Sequence, residues 1–96
     1  MNKQLIELDE LRKQIDAVDT LLINCLAKRQ EIVQEIAEIK KKENLAIFCP
    51  ERELAMLEKR KSLALQLDLD SEFIDDIFQT ILENSRKVQE EAWKSA

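Results

Sequence analysis

The sequence predicts an all-α protein of three helices, the first of them very long. Two observations carry this. Apolar residues in the first half recur at alternating steps of three and four, the period of a helix with one buried stripe. The 96 residues include no glycine and one proline, and 36% are charged, which leaves little material for turns or tight hairpins. The length allows one domain, taken as residues 1–96.

The first helix is expected over residues 5–42. Its seam runs through Leu8, Leu11, Ile15, Val18, Leu22 and Cys25, then Ile32, Ile36 and Ile39, with no breaker before "ENLAIFCP". At ~1.5 Å per residue this helix reaches ~55 Å. A globule of 96 residues has a radius of gyration of only ~12 Å. The rest of the chain is too short to cover such a helix. The sequence therefore predicts an obligate dimer with the long helices packed together.

The second helix opens at Pro50, because a first helical position has no use for the N–H that proline lacks. Leu54, Leu57, Ala64 and Leu65 are expected on one side of it, fading at "LDLD". The third helix starts near "DSEF", where Asp70 or Ser71 can cap free N–H groups. Its stripe is Phe73, Ile74, Ile77, Phe78, Ile81, Leu82 and Val88, and the tail "EEAWKSA" is expected to fray.

A net charge of -5 argues against nucleic-acid and anionic-membrane partners, which need a basic surface. No apolar run approaches a membrane span, and "MNKQLIELDELRKQ" carries no signal-peptide core. Cys25 and Cys49 lack metal-type spacing and histidine is absent, so no metal site is expected. Two isolated cysteines read as reduced thiols of a cytoplasmic protein.

Several polar residues stand where apolar ones belong. The missing step of the first seam is Arg29, and Ser85 and Gln89 interrupt the stripe of the third helix. Such groups are costly inside a helical interface unless satisfied. Singly, Arg29 reads as an interhelical ion pair, and Ser85 and Gln89 as hydrogen bonders that fix register. Together they read differently. Lys40 follows Arg29 by eleven residues, about three helical turns, and so returns to nearly the same face. Arg12 lies beside the seam near the other end, where a partner chain could present it to the neighbour's site. Arg52 sits in the first turn of the second helix, where the positive end of the macrodipole disfavours a cation. With Glu53 beside it, that turn reads as a rigid mount for ligand groups; alone, it would read as a solvated charged turn. Four cations with Glu53, Ser85 and Gln89 suit a small anion bearing several carboxylates and hydroxyls.

The usual parts of acid–base, covalent and metal catalysis are missing from this set. Positioning and fixed electrostatics remain, and a unimolecular rearrangement of a dianion needs only those.

Through "LRKQIDAVDTLLINCLAKRQEIVQEIAEIK", "PERELAMLEK" and "FIDDIFQTILENSRKVQ" the chain resembles the all-helical (AroQ-class) chorismate mutases, like the N-terminal mutase domain of P-proteins. The resemblance covers nearly the whole chain. It implies a three-helix protomer in an intertwined homodimer that converts chorismate to prephenate, in phenylalanine and tyrosine biosynthesis, without a cofactor. It further implies that Arg29 and the partner subunit's Arg12 bind the substrate carboxylates. Lys40 and Gln89 would hydrogen-bond the ether oxygen, Arg52 and Glu53 would order the ring hydroxyl, and Ser85 would assist at a carboxylate. Cys49 departs from the family, which often has an aspartate there near the substrate hydroxyl; a thiol is a weak, neutral hydrogen-bond partner. Two alternatives stay open at this point. One is an isochorismate-pyruvate lyase of the same fold, against which Glu53 and Ser85 weigh. The other is a non-catalytic helical dimerisation module, which leaves the polar residues as unrelated accidents.

Overall fold

A computed structural model describes residues 2–94. Its three helices are α1 (Lys3–Lys42), α2 (Pro50–Gln66) and α3 (Ser71–Lys94), with no strand among the described residues. The chain divides into two compact units, Met1–Ile32 and Val33–Ala96.

The first unit is helix alone. The backbone N–H of Gln4 bonds Asn2 Oδ1 at 2.7 Å, so Asn2 caps the start of α1. The seam residues of this unit are exposed within the chain: Leu11 55%, Ile15 59%, Val18 55% and Leu22 57%.

The second unit holds the end of α1 with α2 and α3. Three lysines, Lys40 to Lys42, occupy the last turn of α1, where the macrodipole is negative. The helix then stops at Asn44, which takes a left-handed φ of 56°. The N–H of Leu45 reaches back to Lys40 O at 2.8 Å, and that of Asn44 to Lys41 O at 3.4 Å. This double bond pattern is a Schellman motif, usually built on glycine. α2 ends the same way. Asp68 has φ 56°, Leu69 N bonds Ala64 O at 2.8 Å, and Asp68 N bonds Leu65 O at 3.3 Å. In a chain without glycine, Asn44 and Asp68 take the two left-handed positions, which their short polar side chains tolerate better than most.

α2 starts at Pro50, as its sequence predicts, with Cys49 at the N-cap in extended conformation and no side-chain cap bond. Cys49→Asp would supply the missing acceptor and an anion at the positive helix end. It is expected to raise unfolding stability by about 1 kcal/mol, read from urea denaturation of both proteins at one protomer concentration. An unchanged midpoint would contradict this. Asp70 caps α3, its Oδ1 accepting from Glu72 N at 3.0 Å.

α2 and α3 pack as an antiparallel hairpin. Glu53 pairs with Arg86, and the Arg60 guanidinium lies 5.3 Å from the centre of the Phe78 ring. Positions later in α2 thus meet positions earlier in α3. The buried apolar residues are Val33, Ala37, Met56, Ala64 and Leu82. Of the apolar side expected on α2, Ala64 is buried. Leu54 and Leu65 are exposed, Leu57 is half-buried, and the line Met56–Arg60–Ala64 faces inward. Arg60 fits there because its stem is apolar and its head finds Met56 O at 3.3 Å and the Phe78 ring. On α3, Leu82 is buried and Ile74, Phe78, Ile81 and Val88 are half-buried, while Phe73 and Ile77 are exposed.

The tail also departs from expectation. α3 continues to Lys94, and the Trp93 indole N–H donates to Ala37 O at 2.7 Å. Lys41 Nζ donates to Trp93 O at 3.0 Å. A large ring with one polar handle ties the end of α3 to α1. Ser95 and Ala96 lie outside the described residues.

Within its own chain α1 buries Val33 and Ala37, leaving Ile32, Ile36 and Ile39 exposed. Each of Val33 and Ala37 follows a seam residue by one position, about 100° around the helix. The helix therefore has two apolar lines, one used within the chain and the other, the heptad seam, uncovered.

Candidate active site

The inward face of α3 runs Phe78, Leu82, Ser85, Gln89, in steps of four, three and four, so the stripe passes from apolar to polar without changing direction. Ser85 and Gln89 are each 7% exposed. Ser85 Oγ donates to Ile81 O at 2.8 Å, one turn back. Gln89 Oε1 is buried and has no hydrogen-bond partner among the described residues. An unmade bond at a buried acceptor costs roughly 1–3 kcal/mol. An apolar residue would fill this place more cheaply, so the amide is a poor choice for packing alone.

The linker from α1 to α2 is held at two points. Lys40, half-buried, donates from Nζ to Ile47 O at 2.8 Å, and the Arg86 guanidinium lies 5.1 Å from the centre of the Phe48 ring. Arg86 NH1 also donates to Glu53 Oε1, a half-buried carboxylate in the first turn of α2. Lys40, Ile47, Phe48, Arg86 and Glu53 are thus joined in series by contacts and adjacent residues. Ser85 and Gln89 sit one and three positions from Arg86 on α3.

Of the residues singled out in the sequence, Lys40 and Glu53 are joined through this series, and Ser85 and Gln89 are buried in the same unit. Arg52 is on the same first turn of α2 but exposed. Arg12, exposed, and Arg29, half-buried, belong to the first unit. Sequence reasoning missed Arg86. Its neighbours in "NSRKVQ" drew notice as interruptions of an apolar stripe, and an arginine beside that stripe looks like a solvated surface charge. Only the hairpin register, which sets α3 against the start of α2, brings it to Glu53. Among the described residues no three of His, Cys, Asp and Glu come together as a metal site.

Lys40 and Arg86, both hydrogen-bond donors, and the Glu53 carboxylate are thus held together on the helices and linker of the second unit. The chain belongs to the chorismate mutase type II family, whose sequence model matches residues 11–90. It is 42% identical over 79 residues to a T-protein of Enterobacter agglomerans, covering 82% of this chain and 21% of that protein. It is 29% identical over 85 residues to a chorismate mutase of Methanocaldococcus jannaschii, covering 88% of this chain and 86% of that one. In three dimensions it matches the crystal structure of a chorismate mutase from Helicobacter pylori in complex with prephenate. The TM-score is 0.80 at 36% sequence identity, covering 93% of this chain and 96% of that chain. The chain spans only about a fifth of the T-protein.

Proposed function

We propose that residues 1–96 form a single chorismate mutase domain that converts chorismate to prephenate by a Claisen rearrangement, a step towards phenylalanine and tyrosine. The observation that carries the reading is Gln89, an amide held in the helical core at a cost in stability, in a unit that also holds Lys40. Membership of the mutase family supplies the reaction those groups would serve.

In this rearrangement one C–O bond breaks while a C–C bond forms within the same molecule. No proton moves and no nucleophile attacks. Negative charge grows on the ether oxygen, and groups that donate there bind the transition state more tightly than the substrate. Lys40 and Gln89 take that role. Lys40 carries three donors, of which one is used at Ile47 O. Arg29 and the partner subunit's Arg12 hold the two carboxylates, because a guanidinium fork matches a carboxylate bidentately. Arg52 and Glu53 order the ring hydroxyl, and Ser85 assists at a carboxylate.

We infer that the working form is a homodimer, formed by packing the α1 seams of two chains. The exposure of Leu11, Ile15, Val18 and Leu22 supports this, because leaving them in water forgoes about 25 cal/mol per Å² of apolar area. Unfolding is then expected as one transition whose midpoint rises with protein concentration. A folded, stable monomer in sedimentation at micromolar concentration would contradict the dimer. No described helix is long and apolar enough to cross a membrane, and we place the reaction in the cytoplasm, where free Cys25 and Cys49 stay reduced.

The test is to incubate the purified chain separately with chorismate and with isochorismate. Loss of chorismate absorbance with prephenate as product is expected. Pyruvate release from isochorismate with chorismate untouched would replace the mutase by a lyase.

A further inference from the structure

We propose that Arg86 is a positioning residue of this site, one that neutralises and aims the Glu53 carboxylate so that a dianion can bind beside it; this rests on the function proposed above. A half-buried carboxylate is a poor neighbour for a dianionic substrate, since like charges at close range repel strongly away from bulk water. Glu53 has its counter-charge in Arg86, which donates to Oε1. With Oε1 engaged by Arg86, Oε2 is the oxygen that this scheme assigns as acceptor for the substrate hydroxyl.

The guanidinium is itself held. One face lies against Phe48, 5.1 Å from the ring centre, and Phe48 follows Ile47, whose carbonyl accepts from Lys40. The Lys40 ammonium and the Glu53 carboxylate are therefore positioned through one stretch of linker, with Arg86 as the link between α2 and α3. Planarity lets arginine stack and donate at the same time, which the point charge of lysine does not reproduce. Arg86 does not touch substrate in this scheme and acts through Glu53.

The test is a double-mutant cycle on chorismate turnover with Arg86→Met, Glu53→Gln and the double variant. Methionine keeps an apolar stem against Phe48 and removes the charge. Arg86→Met is expected to raise KM about tenfold, less than for a fully buried pair because both side chains keep some contact with water, with a smaller change in kcat. Adding Glu53→Gln is expected to bring KM down from that of Arg86→Met to that of the Glu53→Gln single variant, because a neutral amide needs no counter-charge. A merely structural tie between α2 and α3 would not give this rescue, since the double variant also lacks the pair. Parental KM in Arg86→Met, or a raised KM that Glu53→Gln does not recover, overturns the role of Arg86 while leaving the mutase reading intact. A parent protein that leaves chorismate unchanged overturns both. Should Arg86→Met fail to fold by circular dichroism, Arg86→Gln, which keeps a donor without the charge, carries the same expectations.

Discussion

Gln89→Glu is expected to turn an enzyme with a nearly flat pH profile into one that works in acid and fails towards neutral pH. A glutamine amide donates at every pH in the range. A glutamate donates only while protonated, and an unperturbed one ionises at about pH 4.3. Position 89 is 7% exposed, so burial disfavours the anion and lifts that value, whereas the Lys40 ammonium that shares the ether oxygen in the proposed scheme lowers it again. Above the resulting value the donor-competent fraction falls about tenfold per pH unit. The anion that replaces it also repels the ether oxygen just as that oxygen gains charge. Loss at neutral pH is therefore expected in kcat as well as KM, since the hydrogen bond strengthens in the transition state. Prephenate formation by both proteins from pH 4.5 to 8 checks this. Parallel profiles with equal kcat would leave Gln89 as an ordinary core amide.

Arg29→Ala is expected to remove nearly all activity. Losing one partner of a close charge pair costs about 2–5 kcal/mol, which is on the order of 30- to several-thousandfold in kcat/KM. Alanine is the best helix former and α1 is continuous through this position. The variant should therefore remain a folded helical protein with one unfolding transition. The decisive comparison is kcat/KM beside the thermal melt. Near-parental turnover would make Arg29 a structural residue.

The helices were legible because their signals are local. A seam of threes and fours without a breaker gave α1, proline at a first helical position gave the start of α2, and Asp70 before "SEF" gave the start of α3. The helix ends were legible as breaks only, because the absence of glycine hides the left-handed residues, and Asn44 and Asp68 fill that role. Which side of a helix packs within the chain was less legible. On α1 the strongest apolar line is left exposed while the weaker Val33–Ala37 line is buried. On α2 the leucines outweigh Met56 and Arg60 in any hydrophobic count, yet the latter face inward, because long side chains bury their stems.

The candidate site divides in the same way. Ser85 and Gln89 stood out as polar residues on an apolar stripe, and both are buried. Arg86 carried no such mark, since its partner Glu53 is 33 residues away and meets it only through the hairpin register. Trp93 lay in a stretch read as fraying; its anchor is a backbone carbonyl on α1, 56 residues away in sequence.

The claim at the centre is that this chain rearranges chorismate by positioning and fixed charge, with no proton in flight. The most direct measurement is the rate of prephenate formation by the purified protein at saturating chorismate, in H2O and in D2O. Steady production of prephenate with a solvent ratio close to one is the expected result. Absence of prephenate, or a ratio of about two or more from a proton transferred in the slow step, would contradict it.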